Sequence, residues 1–315
     1  MTRQSHVEAE STSLCNAGEF KTGGGIGGYL LNLLPQTMAC LAVDYSIEVM
    51  KISNDQIMGS NGTSNMLVNP FRSLTLVDGD TFDGHNSLRQ AGAAGSKIQV
   101  QMHKIRQMDA FTTWLNTTQL RGFNNYLTPA NIRQIIPAPR DNYCGSYEQL
   151  KSPVTGVYDH RSKFSIKNIP VIFPCVDNHK TRYEITKWAE TFANVLIFNG
   201  GNEKTKGNVL VYEKYDGINF DPPIYKVYPE VNDKTDLRPD ETPCTDVASK
   251  NDQTAITNNV IASFMLAMFT KWFRTGEFKQ KTRERDENGN FKEVRRNEVL
   301  IDLEKMTTTT LTHLK

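Results

Sequence analysis

The stretch LTLVDGDTFDGHNSLRQ, at residues 74–90, predicts the fold class more strongly than any other part of the chain. Its first residues, LTLV, are apolar or β-branched, which is typical of a buried strand, and this run stops at Asp78. Polar side chains suited to a ligand follow the strand: Asp80, Asn86, Arg89 and Gln90. Because open α/β sheets bind ligands at the carboxyl ends of their strands, the stretch predicts such a sheet with a site at its edge.

Two other segments are predicted to meet at the same edge. Residues 23–28 read GGGIGG and precede an apolar run, residues 29–43, whose pattern suits a helix despite Pro35. Residues 171–178 read VIFPCVDN, a second apolar run that ends in an acid. A glycine loop that opens a helix can hold phosphate, because the backbone approaches the anion closely and helix amides point toward it. A glycine-rich turn without a ligand is the alternative.

Further patterns predict the remaining helices and strands of an α/β fold. Apolar residues recur at helical spacing in residues 98–108, 182–192 and 257–273. The last of these helices is apolar nearly all round, which indicates that it is buried. Additional strands are predicted at residues 193–202 and 207–215, and a hairpin turn at Asn288 and Gly289.

These elements predict one main domain at residues 17–275, with a crossover rich in Pro, Asp and Glu at residues 216–243. The hairpin is predicted to occupy residues 276–303. Residues 1–16 and 304–315 are polar and are predicted to be loose. The stretch at residues 51–70, rich in Asn, Ser and Gly, is predicted to be an exposed loop.

The charge and cysteine content exclude several classes of protein. With 36 basic and 35 acidic residues, the net charge of +1 creates no long-range field that favours nucleic acid or an anionic membrane. Five cysteines without a CxxC pair argue against a disulfide framework or a four-cysteine zinc site. The N-terminus lacks an apolar signal region, and no run of about 18 apolar residues is recognised. We therefore expect a soluble cytoplasmic protein without nucleic-acid or membrane partners.

The combined motifs resemble a known family. The GGxG loop, D-x-D followed by N-x-x-R-Q, and the later C-V-D-N-x-x-x-R together resemble the ThiF, MoeB and HesA superfamily, the adenylating domains of ubiquitin-activating enzymes. Residues 228–278, with an acidic crossover, a cysteine and a helix, are further similar to ThiF-related proteins of the bacterial PRTRC cassette. The resemblance covers residues 20–300 approximately. It implies a Rossmann-like mixed sheet with helices on both faces, followed by a C-terminal β-hairpin.

The resemblance implies a site for ATP and Mg²⁺. Gly24, Gly25 and Gly27 match the family's nucleotide loop, and Asp78 matches the acid that accepts hydrogen bonds from the ribose hydroxyls. Asp80, Gln90 and Lys97 complete the implied nucleotide site. A lysine at the start of a helix, such as Lys97, is otherwise more often solvated.

The same resemblance implies which groups bind the phosphates and the metal. Asn86 and Arg89 match groups that bind phosphate oxygens, where a guanidinium fork complements the anion. Asp177 matches the acid that holds magnesium, a cation that prefers carboxylate and phosphate oxygens. Asn178 and Arg182 match the remainder of the family's DNxxxR motif.

The implied reaction is attack of a carboxylate on the α-phosphate of ATP, which gives an acyl adenylate and pyrophosphate. Arg89, Asp177 and Lys97 are the implied catalytic residues, and Cys244 could take the acyl group as a thioester. A structural role for Cys244 is equally open, and Cys175 is predicted to pack in the core. The implied partners are the C-terminus of a ubiquitin-like protein or peptide, and a second copy of the chain in a homodimer.

Two other functions fit parts of the sequence. A Rossmann-type NAD enzyme would explain the glycine loop and an acid at a later strand end, but not N-x-x-R-Q or VDN. A nicotinamide fluorescence titration distinguishes it from an ATP site. The other alternative is a catalytically inactive scaffold that keeps the fold and binds a ubiquitin-like partner.

Overall fold

The computed structural model describes residues 13–15, 26–56, 69–79, 81–82, 95–137, 169–176, 178–215, 217–233, 255–275, 278–285, 287, 289 and 291–313. Its strands are β1 (Ser13–Cys15), β2 (Ser73–Val77), β3 (Thr81–Phe82), β4 (Gly95–Ser96), β5 (Gln119–Phe123), β6 (Val171–Phe173), β7 (Val195–Asn202), β8 (Lys206–Tyr215), β9 (Ile218–Asn219), β10 (Lys279–Arg285), β11 (Phe291–Arg295), β12 (Glu298–Asp302) and β13 (Thr307–Leu311). Its α-helices are α1 (Ile26–Gln56), α2 (Lys97–Arg106), α3 (Ile132–Ile135), α4 (His179–Ala189), α5 (Ile224–Val227) and α6 (Ala255–Thr275). A π-helical turn at Ala110–Trp114 and a 3-10 helix at Pro229–Asn232 complete the set.

A mixed sheet organises these elements, as the sequence predicted. Its strand order is β13-β12-β8-β7-β6-β1-β2-β5, and β9 pairs with β8. Five neighbouring strands pair in parallel, in the order β7, β6, β1, β2 and β5. On the other side of β7, each strand pairs antiparallel with the next, in the order β7, β8, β12 and β13. The parallel half therefore presents the carboxyl ends of five neighbouring strands at one edge.

Helices cover both faces of this sheet because alternate strand residues are apolar on both sides. On one face, α1 and α6 pack against each other and against strand residues such as Leu74, Leu76 and Phe198. On the other face, α3 and α4 contribute Ile132, Ile135 and other apolar residues to a second core that contains Ile197. Burial on both faces explains why β2 and β7 read as continuous apolar runs.

The N-terminal region departs from the sequence-based prediction. Residues 13–15 were expected to be loose, but they form β1, which pairs in parallel with both β2 and β6. Three residues, Ser-Leu-Cys, are too few to give a recognisable apolar pattern. A central strand of the sheet is therefore missed by pattern analysis, and the predicted loose segment is wrong at these positions.

The C-terminal region also differs. The predicted hairpin is confirmed, since β10 and β11 pair antiparallel and Gly289, which lies between them in the chain, has a φ of 80°. Asn288 lies outside the described residues. However, the hairpin does not extend to residue 303, because β12 leaves it to pair with β8 in the main sheet. The predicted frayed tail at 304–315 instead contains β13, an edge strand whose threonines are exposed. Threonine favours strands through its β-branched side chain, without an apolar pattern.

Two predicted loops contain regular structure. Helix α1 continues through Lys51–Gln56 and so takes up the start of the predicted 51–70 loop. Residues 217–233 of the predicted crossover form β9, α5 and the 3-10 helix, and Ile224 and Val231 are buried there. The predicted loop segments at 57–68 and 234–243 lie outside the described residues.

The expectation that no segment is apolar enough to cross a membrane is wrong for part of α1. Residues Ile26–Asp44 are long and apolar enough by length and composition, and they form one such helix among the described residues. Most of this segment is buried inside the protein, where it packs against α6. Core helices of this kind share the composition of membrane spans because both are surrounded by apolar groups.

Candidate functional site

Asp78 lies at the carboxyl end of β2, as the sequence predicted. Its backbone N–H donates to the carbonyl of Phe123 at 3.2 Å, which extends the pairing of β2 with β5 by one residue. The side chain is almost completely buried, with 1% exposed. A buried carboxylate at a strand end suits a ligand with hydroxyl donors, because each donor offsets part of the cost of burial.

The backbone after Asp78 is covered by an aromatic ring. A Cβ on Gly79 would lie 2.6 Å from the ring of Tyr126, so this position requires glycine. Tyr126 and Asn124 follow β5, and Ser96 Oγ donates to Asn124 Oδ1 at 2.9 Å. The ends of β2 and β5 and the start of α2 therefore form one connected surface at the carboxyl edge.

Lys97 is the first residue of α2, and it is buried, with 2% exposed. The alternative of a solvated surface lysine is therefore wrong. Helix α2 approaches β5 closely because Gly122 of β5 has no side chain. Met102 and Ile98 of α2 occupy the space that a Cβ would need. This packing places Lys97, at the start of α2, beside the carboxyl end of β5.

Helix α1 begins at Ile26, and β1 is the element that precedes it in the chain. Gly27 was predicted in the glycine loop, but Gly27 and Gly28 are buried in the first helical turn. Gly24 and Gly25 lie outside the described residues. The N-terminus of a long helix carries unpaired N–H groups and a positive partial charge, which favour an anion.

The end of β6 is held by α4. Arg182 is buried and its Nη2 donates to the carbonyl of Val176 at 2.5 Å. Asn178 Oδ1 accepts from the backbone N–H of Thr181 at 2.8 Å, so Asn178 is the N-cap of α4. Both neighbours of Asp177 in the chain are thereby anchored. The implied role of Asn178 toward nucleotide stays a prediction, and its observed contact is a helix cap.

Several predicted site residues cannot be placed. Gly24, Gly25, Asp80, Asn86, Arg89, Gln90, Asp177 and Cys244 lie outside the described residues and remain predictions. Cys175 is buried in the core, which confirms its predicted packing role. Within the described residues, no group of three or more His, Cys, Asp or Glu side chains is arranged to hold a metal ion.

Sequence analysis missed Ser96, Asn124 and Tyr126. Asn124 and Tyr126 follow an exposed strand, QLRGF, that has no apolar run to mark its end. The structure brings these three residues and the predicted residues Asp78 and Lys97 to the same part of the edge. The arrangement offers a buried carboxylate, a buried cation and an aromatic ring, which suits a ligand that combines a hydroxylated ring with an anion.

No curated protein gave a significant match. Among solved structures, PaaA matches with a TM-score of 0.48 and 10% identity, over 96% of this chain and 72% of PaaA. Escherichia coli MccB with MccA matches with a TM-score of 0.48 and 11% identity, over 98% of this chain and 64% of MccB. The chain thus spans somewhat less than two thirds of MccB.

Most of the chain matches one protein family. A model of the ThiF family matches residues 58–301, which is well over half of the chain and includes β2, β6, β7 and α4. This match agrees with the resemblance of the D-x-D, N-x-x-R-Q and VDN motifs, while the narrower resemblance to PRTRC proteins stays a prediction. The chain therefore belongs to the ThiF family.

Proposed function

We propose that the protein adenylates a carboxylate, using ATP, and releases pyrophosphate. The observation that carries this proposal is the buried Asp78 at the carboxyl end of β2, next to the strand that leads into the glycine-rich start of α1. Nucleotide-binding α/β sheets place an acidic side chain that binds the ribose beside a helix N-terminus that binds the phosphates. Membership of the ThiF family supports ATP as the nucleotide and a carboxylate as the acceptor.

The proposed reaction needs alignment and charge neutralisation more than proton transfer. A carboxylate oxygen attacks the α-phosphorus, the bond from this phosphorus to the bridging oxygen breaks, and its electron pair leaves with pyrophosphate. Both reactants are anionic, so Lys97 and the start of α1 would reduce their repulsion. Asp78 would fix the ribose, and Arg89 is proposed to bind phosphate oxygens.

Magnesium fits the chemistry of the end of β6. Asp177 would hold the ion, and the ion would neutralise charge on the phosphate oxygens. The observation that supports this fit is the anchoring of both neighbours of Asp177, Val176 through Arg182 and Asn178 through the cap of α4.

We further propose that the carboxylate is the C-terminus of a ubiquitin-like protein or peptide, and that the protein is a cytoplasmic homodimer. Any thioester on Cys244 would form after adenylation.

The proposal is tested by carboxylate-dependent exchange of radiolabelled pyrophosphate into ATP. The probes are a small ubiquitin-like protein encoded beside the gene, where one exists, and pools of synthetic peptides with free C-terminal carboxylates. Amidated peptides of the same sequence serve as controls, because they lack the attacking oxygen. Exchange with the free carboxylates and not with the amides supports the proposal, and no exchange with any probe contradicts it.

Asp78 gives a prediction about nucleotide recognition. The variant Asp78→Ala is expected to lose about 1.5 to 3 kcal/mol of affinity for ATP, because hydrogen bonds from the ribose hydroxyls to a charged acceptor disappear. The wild type should bind 2′-deoxy-ATP more weakly than ATP, and the variant should bind both nucleotides alike. Calorimetry measures the four affinities. A variant that still discriminates as the wild type does would show that Asp78 does not bind the ribose.

A further inference from the structure

Strand β13 forms one end of the main sheet, and no strand among the described residues pairs with its outer side. It pairs with β12 in an unbroken register that runs from Asp302 opposite Thr307 to Glu298 opposite Leu311. Its first four residues, 307–310, are exposed threonines. A free strand edge presents unpaired N–H and C=O groups, and these groups can bind another strand.

The hydrogen bonds of β12 indicate which backbone groups of β13 point outward. Leu303, directly after β12, donates its N–H to the carbonyl of Thr205 at 2.8 Å, on the side of β8. Because successive residues of a strand point these groups to opposite sides, the even-numbered residues of β12 bond their partners in β13, which include Thr309. Thr308 and Thr310 therefore point their N–H and C=O groups away from β12, toward the free edge.

Strand β13 lacks the features that protect edge strands from pairing. Such strands usually carry a charged side chain, a proline or a bulge. The sequence of β13 is TTTTL, without charge or proline, and its pairing with β12 is regular. Strand β5, at the opposite end of the same sheet, has the exposed Arg121 at its centre. The contrast between the two ends indicates that β13 is open to a partner strand.

Met306, in the turn that leads into β13, is a second unusual feature. Its backbone has a φ of 53°, a left-handed conformation that Gly or Asn adopts more readily. The residue is also 85% exposed. A methionine here costs backbone strain and exposes an apolar side chain to water. A partner that covers this side chain gives a reason for methionine at the position.

The sequence of β13 fits a second copy of the same strand. When two copies pair antiparallel about a two-fold axis at Thr309, Thr308 of each lies opposite the partner's Thr310. In this register every outward N–H and C=O group of β13 bonds a group of the partner's β13. Thr309 then lies opposite the partner's Thr309, and threonine pairs across strands are favourable. The assembly is closed at two copies, because neither β13 keeps a free edge.

The charges at the two ends of β13 also match a second copy. Glu304 is exposed before the strand, whereas its neighbour Lys305 pairs with Asp302 at 3.8 Å. Beyond the other end lies Arg296, whose Nη1 donates to Thr312 Oγ1 at 3.1 Å. Antiparallel pairing brings Glu304 of each copy toward the partner's Arg296. Opposite charges therefore meet at both ends of the paired strands, which favours this orientation.

We propose that β13 is a dimerisation strand. Two copies of the chain pair their β13 strands antiparallel about an axis at Thr309, and Met306 of each copy packs over the end of the partner's strand. The two main sheets then form one continuous sheet. This inference assigns a surface to the proposed homodimer and is independent of adenylation. Because one strand pair buries a small area, the dimer is expected to dissociate at about micromolar concentration.

Sedimentation equilibrium of the full chain measures the dissociation constant of the dimer. Thr310→Pro removes an outward N–H and no bond to β12, so its Tm should stay close to that of the wild type. Its dissociation constant should rise about tenfold or more, since each copy loses a hydrogen bond to the other. Thr310→Ala is the matched control, because it also removes the threonine side chain and keeps the N–H. Its dissociation constant should stay within about threefold of the wild type.

Met306→Gly separates dimerisation from stability. Glycine adopts a positive φ without strain, so the Tm of the variant should equal or exceed that of the wild type. Its dissociation constant should rise severalfold, because the apolar contact with the partner is lost. If Met306 has only a structural role in the turn, the dissociation constant stays unchanged, and this result counts against the inference.

Cysteine crosslinking tests the register directly. Thr309→Cys places two cysteines opposite each other with Cα atoms about 4.5 Å apart, which allows a disulfide between the copies. In Thr307→Cys the two new cysteines would lie more than about 13 Å apart. Mild oxidation should therefore crosslink the first variant, whereas the second should crosslink no more than the wild type does through its native cysteines.

Three outcomes would overturn the inference. The first is a wild type that stays monomeric throughout the micromolar range. The second is a folded Thr310→Pro that dimerises as tightly as the wild type, which would mean that another surface forms the dimer. The third is crosslinking of Thr309→Cys no greater than that of Thr307→Cys, and this result remains decisive if Thr310→Pro does not fold. None of these outcomes contradicts adenylation, which pyrophosphate exchange tests separately.

Discussion

We expect Asp177→Ala to lower carboxylate-dependent pyrophosphate exchange by about a hundredfold or more, and Cys244→Ala to keep the wild-type rate. Losing one preorganised electrostatic group typically has an effect of this size, because charge that develops on pyrophosphate is left uncompensated. Cys244 follows the crossover segment, and any thioester would form after adenylation. Pyrophosphate-exchange assays on the two variants, run side by side with the wild type, measure the two rates.

Asp44→Ala is the matched control for Asp177→Ala. Asp44 is an exposed carboxylate that pairs with Arg274 between α1 and α6, remote in the fold from the end of β6. Its removal should leave exchange unchanged, and thermal melting checks that each variant is folded. Full exchange in Asp177→Ala, or its loss in a folded Cys244→Ala, would contradict the proposed roles.

The largest expected effect on stability comes from Arg295. This guanidinium donates to two buried carboxylates, to Asp221 Oδ2 at 2.5 Å and to Glu213 Oε2 at 2.7 Å. Asp221 and Glu213 also accept hydrogen bonds from Asn297 and Trp272. Arg295→Met would leave both carboxylates buried without a cation, and breaking such a group is expected to lower the free energy of unfolding by about 3–5 kcal/mol.

Arg274→Met is the matched control for this substitution. Arg274 also pairs with a carboxylate, but its side chain is 56% exposed, so its loss should change stability by about 1 kcal/mol or less. Urea denaturation measures both variants. Equal effects of the two substitutions would show that the buried group around Arg295 contributes no more than a surface ion pair.

The same group gives a pH dependence with a defined sign. Burial raises the pKa of Asp221 above its ordinary value of 3.8, and hydrogen bonds from Arg295 oppose this rise. Without Arg295, the pKa of the folded variant rises further, so the folded state holds a proton more tightly than the unfolded chain does. The stability deficit of Arg295→Met should therefore be largest at neutral pH, and should shrink as pH falls from the pKa of Asp221 in the variant to its pKa in the wild type, both of which lie above 3.8.

Long apolar runs explain which parts of the fold could be predicted from the sequence. β2, β7 and the middle of β8 are buried on both faces, and each appears as a run of apolar residues. Helix α6 was predicted to be buried because it is apolar nearly all round, but one side of it is exposed at Asn259, Ser263 and Lys271. β1 could not be predicted, because a strand of three residues owes its position to two parallel neighbours rather than to its own composition. The edge strand β13 was missed for a related reason, since exposed threonines carry no pattern of burial.

Residues of the candidate site also differ in whether the local sequence could predict them. Asp78 was predicted because it ends a strand that the sequence reveals. The burial of Lys97 was not predicted, since it depends on the contact of α2 with Gly122 of another strand. The strand predicted at residues 193–202 is confirmed as β7, but the burial of Asn199 inside it was not predicted. Tertiary packing, not local composition, decides these cases.

The most direct test of the central claim follows an oxygen atom from the carboxylate into the nucleotide. A substrate peptide with heavy-oxygen isotope in its terminal carboxylate is incubated with ATP and Mg²⁺, and hydroxylamine then cleaves the acyl product at its carbonyl carbon. Attack on the α-phosphate leaves one labelled oxygen in AMP, with one pyrophosphate released per turnover, and mass spectrometry should find this product. Labelled inorganic phosphate together with ADP, or nucleotide without label, would contradict carboxylate adenylation by this protein.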